Sequence, residues 1–327
     1  MQLSNIARRF INRYQGNFPL VERPFLQIAN ELGCNETTLL ETVSTLKQER
    51  LLTRFGPLYD AARLGGGLTL AAMAVPESRY ENITQMVNTY PEVAHNYRRE
   101  HELNMWFVLA TGTPDEIENV LQSIENTTRI KVHNFPKQQE YYIGLWLELQ
   151  DDGGVTTVPI KQAATGPEYG LDEIDKKLVH VTQSGLDIVS MPFRHIADSI
   201  GIQQDEIIRR LSLMLDSGYI RRIGAVPNHY RLGLEANGMT VWQVPPEKID
   251  ALGEVIGRLD FVSHCYRRPP APPLWHYNLF AMVHGHNREE VEDKAAQIES
   301  LLAEDCLGHD ILYSSAILKK TGMRLAA

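Results

Sequence analysis

Two short segments carry the residues best suited to chemistry. Residues 94–107 read Ala-His-Asn-Tyr-Arg-Arg-Glu-His-Glu-Leu-Asn-Met-Trp-Phe. Residues 263–268 read Ser-His-Cys-Tyr-Arg-Arg, and the chain then runs through Trp275, His276 and Asn278 to Phe280. Each segment offers a His, a Tyr and an Arg pair, followed by a second His and an Asn entering an apolar run. His95, Tyr97 and Arg99 alternate, so an extended backbone puts them on one face. Arg98 with Arg99, and Arg267 with Arg268, form cationic cups suited to a ligand rich in carboxylates. His95, His101, His264 and His276 bring imidazoles, the side chains best matched to proton transfer near neutral pH. An isolated Arg pair is usually a solvated face, and an isolated His beside a strand usually bonds the backbone. Recurrence of the whole set in both halves favours a site.

The composition sets the frame for these segments. The chain has 327 residues, 43% hydrophobic and 22% charged, with a formal net charge of −9. That length suits two or more packed domains and excludes global disorder. No stretch approaches the ~20 apolar residues of a membrane span. Arg8, Arg9 and Arg13 near the N-terminus precede no apolar core, so no secretory signal is expected and the chain reads as cytoplasmic. Cys34, Cys265 and Cys306 make no disulfide framework, and without a Cys-x-x-Cys pair no metal site of the protein's own is expected. The acidic balance argues against general nucleic-acid binding.

The elements that must position the two segments come in two copies. Phe25, Ile28-Ala29 and Gly33 recur as Phe193, Ile196-Ala197 and Gly201, and Val75-Pro76 recurs as Val244-Pro245. Each half opens with helices. Phe25, Ile28, Ala29 and Leu32 share a face, Gly33 ends that helix, and Asn35 caps a second one burying Leu39, Val43 and Leu46. An apolar turn over 51–56 then reads as a short wing. The rest of each half alternates strand and helix. Strands are expected over 68–75, 105–111 and 143–149 and again over 239–244 and 279–283. A capping box with Pro114 should open one helix, and Asn287 with Glu290 another. The fold class is therefore α+β, a tandem repeat of winged helix-turn-helix plus ferredoxin-like domain. The boundaries are 1–60 and 61–150 for the first half, a linker over 151–169, then 170–230 and 231–327.

The helices that would enter a DNA groove are poor in cations. Residues 36–48 hold Glu36, Glu41 and the single Lys47; the second copy has Arg209 and Arg210 but also Asp205 and Glu206. DNA binding is not expected of the first copy, and both are read as scaffold and dimerisation elements.

Winged helix plus ferredoxin-like domain resembles the Lrp/AsnC regulators in both halves, a family whose sheets pair between subunits around small-molecule sites. Within that superfamily, the segments from His95 to His101 with 104–107, and 263–269 with 275–280, are similar to those of the siroheme decarboxylases. The closing run from Leu312 to Lys320 fits the second subunit type. The resemblance spans nearly the whole chain, its first half like the alpha (NirD-like) partner and its second like the beta (NirL-like) partner, fused. His276 stands where many relatives have Pro, and Leu103 where Tyr is common.

That resemblance implies conversion of siroheme to 12,18-didecarboxysiroheme on the route to haem d1, in the setting of denitrification. Iron would enter only as part of the substrate, with no cofactor otherwise. Partners implied are siroheme, a homo-oligomer and other haem d1 enzymes receiving the product. The roles it implies are carboxylate anchoring by Arg98, Arg99, Arg267 and Arg268, and contact with the macrocycle edge by Tyr97 and Tyr266. His276, Asn104 and Asn278 complete the expected substrate contacts. His101 is the first choice as general acid. His95 and His264 are expected to protonate the second acetate or to orient the substrate, including through its iron. Protonating the ring makes the macrocycle its own electron sink, so neither pyridoxal nor thiamine is needed. The alternative is an Lrp/AsnC-type transcriptional regulator sensing a tetrapyrrole or an amino acid, and a third reading is a haem carrier without catalysis.

Overall fold

The computed structural model describes residues 3–160, 166 and 169–320. The chain opens with α1 (Asn5–Arg13), α2 (Pro24–Leu32), α3 (Glu36–Gln48) and a wing strand β1 (Leu52–Tyr59). Gly33 ends α2 in the left-handed conformation, and Asn35 Oδ1 caps α3 by accepting from the Thr38 amide at 2.8 Å. Then come β2 (Gly67–Met73), α4 (Tyr80–Thr89), β3 (Val93–Arg99), β4 (Met105–Thr111), α5 (Glu116–Thr128), β5 (Val132–Pro136) and β6 (Gln139–Ile143). A hairpin of β7 (Trp146–Leu149) and β8 (Val155–Val158) leads to the second copy. That copy comprises α6 (Glu173–Thr182), α7 (Pro192–Ile200), α8 (Gln204–Asp216), β9 (Ile220–Pro227), β10 (Ala236–Gln243), α9 (Ile249–Gly257), β11 (Val262–Arg267), β12 (Leu279–Gly285), α10 (Arg288–Leu302) and β13 (Gly308–Lys320).

The two halves are built into one another. Wing strands β1 and β9 pair antiparallel, Gly56 facing Gly224, and the helices of both copies share a core that includes Phe10, Phe25, Phe55 and Phe193. Each such fully buried ring contributes about 1.5–3 kcal/mol. Gly224 is required here, because a Cβ would stand 2.3 Å from the Tyr14 carbonyl oxygen. Apart from the β7–β8 hairpin, the remaining strands form one nine-stranded sheet in the order β5-β2-β4-β3-β13-β10-β12-β11-β6. Its outermost strands, β5 and β6, are consecutive in the chain, so the sheet curls towards a ring. Helices α4 and α5 cover the first half's outer face, packing on Met73, Phe107 and Leu109, while α9 and α10 cover the second's. The inner faces meet over Trp106, Phe135, Trp275, Phe280 and Leu312. Among the described residues no helix is long and apolar enough to cross a membrane.

Three expectations are corrected. The strand expected over 143–149 is interrupted: β6 ends at Ile143, and β7 starts at Trp146 as part of the separate hairpin. That hairpin takes up part of the expected linker. Leu147, Leu149 and Val155 are buried, and the Gln15 side chain bonds both the Leu147 carbonyl (2.7 Å) and amide (3.0 Å). Residues 161–165 and 167–168 of the linker lie outside the described residues. Helix α5 starts at Glu116 rather than Pro114, with no side-chain capping bond from Asp115; the Glu116 carboxylate accepts the Gly112 amide at 3.0 Å instead.

Candidate active site

Strand parity decides which motif residues reach the interior. β3 runs beside β4 and β13, and β11 beside β12 and β6, each with a register shift just before its His. Tyr97 and Arg99 from the first motif, and His264, Tyr266 and Arg268 from the second, line one cavity of about 640 Å³. Leu68, Leu70, Trp106, Met239 and Phe280 supply apolar wall between them.

The alternate residues face outward. Arg98 bonds Glu77 at 2.7 Å and lies over the Tyr80 ring, while Arg267 stands 3.6 Å from Asp250. Neither lines the cavity, which corrects their expected role as anchors.

The inward guanidiniums are held in an unusual state. Arg99 is buried; its Nη1 donates to the Leu312 carbonyl at 2.6 Å, and among the described residues its Nε has no partner. Arg268 donates through Nη1 to the Phe135 carbonyl and leaves its own shielded Nε unpartnered. Among the described residues neither forms a salt bridge with a carboxylate. Burial lowers both to about 10, which leaves them charged at neutral pH. Arg221, also on the wall, differs: it is held between Asp60 (2.7 Å) and Glu140 (2.8 Å). Two shielded cations without counter-ions carry a desolvation cost that an anionic ligand would offset.

Imidazoles gather on the same wall. Ser263 Oγ lies 2.8 Å from His264 Nδ1 and 2.6 Å from His284 Nε2. His284 Nδ1 reaches Asn237 Oδ1, and the His229 ring centre is 5.0 Å from that of His284. The Asn237 Nδ2 donates to the carbonyls of Leu234 (3.3 Å) and Glu235 (3.4 Å), so its oxygen must accept from His284 Nδ1–H. In the uncharged network the Ser263 hydroxyl then donates to His284 Nε2 and accepts from His264 Nδ1–H. Nε2 of His264 is left as the unprotonated nitrogen. Burial lowers His264 and His229 to about 4 and His284 well below its ordinary value.

Other expected site residues sit elsewhere. His95 lies beside Tyr97 on the same strand face, ring centres 6.2 Å apart, but does not itself line the cavity; burial and nearby Lys320 lower it to about 4, and among the described residues its buried Nδ1 has no partner. His101 accepts the Leu103 amide on Nδ1 at 2.9 Å and stands edge-on to Trp275, outside the cavity lining. Its short separation from the Arg pair in sequence spans the turn out of β3, which seats it against Trp275 behind the cavity lining. His276 is exposed. Asn104 and Asn278 are backbone clamps: each side chain accepts the amide and donates to the carbonyl of one valine, Val75 or Val244, at 2.8–3.0 Å. The sequence reading missed His229, Tyr230, Asn237 and His284, all on the cavity wall. They lie outside the recurring motif, and their signal was the opposite one, polar residues where the first copy has apolar ones.

Known proteins give the same picture. Residues 63–142 and 231–319 match the AsnC-like ligand binding domain, and residues 7–52 and 175–221 match the siroheme decarboxylase NirDL-like HTH domain. The chain is 32% identical to a siroheme decarboxylase of Hydrogenobacter thermophilus, over 98% of this chain and 95% of that one. It is 53% identical to the siroheme decarboxylase NirH subunit of Paracoccus pantotrophus, over 47% of this chain and 96% of the subunit. A crystal structure of the siroheme decarboxylase NirDL in co-complex with an iron-uroporphyrin III analogue superposes with a TM-score of 0.70 at 30% identity, over 98% of this chain and 93% of that one.

Proposed function

The chain belongs to the siroheme decarboxylase family, and from that premise we propose that its central cavity takes siroheme and removes CO2 from two ring acetates to give 12,18-didecarboxysiroheme. The observation that carries this reading is the pair of inward guanidiniums, Arg99 and Arg268, one from each copy, shielded and, among the described residues, without carboxylate partners. Siroheme is a polycarboxylate, so its acetates and propionates supply the missing anions. Tyr97 and Tyr266 flank the same guanidiniums at 5.7 and 5.2 Å and contact the macrocycle edge.

Each decarboxylation breaks the bond between carboxyl and methylene carbons, releases CO2, and leaves an electron pair that a proton must quench. We assign that proton to His264, which lines the cavity, in place of His101, which does not. His264 is neutral in the free protein. A bound polycarboxylate would bring negative charge beside it and favour its protonated form, so the acid is generated by the substrate it acts on. Low polarity around a reacting acetate favours loss of its charge. The protein supplies no other cofactor in this reading; iron arrives with the substrate. A cytoplasmic site of action, a homo-oligomer and hand-over to other enzymes of the haem d1 route belong to the same proposal.

The regulator reading finds little support. Arg210 of the second helix-turn-helix is bound by Asp172 (2.8 Å), Asp175 (2.9 Å) and Glu206 (2.7 Å), and Arg209 by the same Glu206. Anaerobic incubation with siroheme, followed by mass spectrometry, should show two successive losses of CO2. No loss, together with salt-sensitive binding to a specific duplex, would replace the enzyme with a regulator.

A further inference from the structure

The two copies wall one cavity with different chemistry. Tyr97 and Tyr266 match, as do Arg99 and Arg268, and His95 and His264. Around the motif the copies diverge. His229-Tyr230 stand before Arg231-Leu232-Gly233 where the first copy has Ala61-Ala62 before Arg63-Leu64-Gly65. Asn237 pairs across the sheet with His284, and at the matching register Leu68 pairs with Ala110. Ser263 precedes His264 in the irregular step of β11; Ala94 precedes His95 in that of β3. Five polar residues in one copy thus face five apolar counterparts in the other.

We propose that proton delivery for both decarboxylations is confined to the second copy, where His284 and Ser263 are positioning residues that pass a proton to the catalytic His264, while the first copy anchors the macrocycle without reacting. This rests on the cavity taking siroheme.

The bonds already in place define the step. One proton added at His264 Nε2 gives an imidazolium bonded through Nδ1–H to Ser263 Oγ. Passing the Nδ1 proton to Ser263, and the Ser263 proton to His284 Nε2, moves the charge to His284 and leaves His264 neutral with Nε2–H towards the cavity. Asn237 Oδ1 holds His284 Nδ1–H in either state. When the carboxyl–methylene bond breaks, CO2 leaves and the methylene carbon takes the Nε2 proton. The two transfers reverse and the network returns to its uncharged form. Each acetate consumes one proton from solvent and yields a methyl group and CO2, so no oxidant or reductant is required. The counterpart network cannot form in the first copy, because Ala94, Ala110 and Leu68 have no hydrogen-bonding side chain. Both acetates therefore react at one wall in turn, and the macrocycle must re-seat between them.

The test follows both CO2 losses anaerobically in the full chain for wild type, His264→Ala, Ser263→Ala, Ser263→Thr, His284→Ala and His95→Gln, with siroheme affinity read from the absorbance change on binding as a check on folding. Expected results are a 10²–10⁴-fold slowing of both losses in His264→Ala, and about 10²-fold in Ser263→Ala, near the lower end of such a contribution. Ser263→Thr should restore most of the rate. Ser263→Ala should also change the pH profile of kcat, which a purely structural serine would leave alone, and His95→Gln should slow neither loss.

Accumulation of a monodecarboxylated product in His95→Gln, with His264→Ala blocking only the other loss, would mean that each copy handles one acetate and would overturn the proposal. So would unchanged rates and pH profile in Ser263→Ala and His284→Ala. Wild-type protein that binds but never releases CO2 would instead overturn the siroheme decarboxylase reading beneath it.

Discussion

Arg98 and Arg99 are neighbours of the same type, and so are Arg267 and Arg268, yet each pair divides between two environments. The outward members lie away from the cavity, half-exposed and already matched with Glu77 and Asp250. The inward members face the cavity with only main-chain carbonyls to receive their protons. A guanidinium satisfied by a surface carboxylate has little to gain from a ligand, because exposed ion pairs contribute about 0–1 kcal/mol. A shielded one without a counter-ion gains a charge-assisted bond where water cannot compete. Residue type therefore carries less information about a binding role than the face of the strand it occupies. The same division separates the imidazoles, His264 on the wall and His101 beyond the turn.

The imidazole contrast gives the largest expected effect. His264→Ala should lower siroheme turnover 10²–10⁴-fold while binding persists, and His101→Ala should leave turnover within a few-fold of wild type. Steady-state CO2 release measures both. Loss of activity in His101→Ala alone would invert the comparison and return the acid to the turn after β3.

Substituting the guanidiniums sharpens the comparison next. Arg99→Ala and Arg268→Ala should each weaken siroheme binding by about 1.5–3 kcal/mol, roughly 10- to 100-fold in Kd, the range for hydrogen bonds to charged groups. Arg98→Ala and Arg267→Ala should change Kd by less than about fivefold, within the exposed-pair range. Equal losses across all four would mean that substrate reaches the outward pair as well as the wall.

How much of this was legible in the sequence follows from what each signal encodes. Phe25, Ile28, Ala29 and Leu32 declared their helix because burial imposes the helical period on a single strip, and all four are buried. Alternation in the first motif placed Tyr97 and Arg99 together for the same reason, with period two. The Lrp/AsnC resemblance implied that the two ferredoxin-like domains pair like an Lrp dimer; which strands meet stayed hidden, because it depends on contacts distant in sequence. β6 crosses to pair with β11 of the other copy, and β13 pairs with both β10 and β3. No local pattern specifies such an exchange. Asn104 and Asn278 looked like ligand contacts because they recur beside the motif, but they recur because both copies must hold the same strand end. His229, Asn237 and His284 were not legible in the recurring motif, because they mark where the copies differ rather than what they share.

Acidification tests the wall through stability. Burial lowers His95, His229 and His264 to about 4 in the folded chain, against about 6.5 unfolded. Between those values the unfolded state binds more protons, so the stability contributed by these groups is present above pH 6.5 and lost as pH falls towards 4. Each imidazole is expected to contribute about 1–3 kcal/mol to that loss. Urea midpoints measured from pH 7 to pH 4.5 should fall, and less steeply in a His229→Gln, His264→Gln double variant. Saturating siroheme should flatten the dependence, since its carboxylates favour protonation of the wall, and calorimetry in buffers of different ionisation enthalpy should show proton uptake on binding. Flat urea midpoints would mean that the imidazoles are hydrated in the free protein.

The smallest effect belongs to the residues that resemble the site without lining it. Asn104 and Asn278 each satisfy the amide and carbonyl of a buried valine just before a proline, where the strand ladder stops. Replacing either by Ala strands one donor and one acceptor away from water, a cost of about 1–3 kcal/mol. Asn→Asp keeps the acceptor but removes the donor, so it should recover part of that loss. Siroheme affinity and the rate of CO2 release should remain those of wild type at temperatures where the variants stay folded. The two asparagines occupy matching positions, 104 and 278, and their costs should agree, because the bond geometry repeats to within 0.1 Å. A variant that kept its urea midpoint but lost siroheme affinity would place its asparagine on the ligand, and the line drawn here between wall and scaffold would move with it.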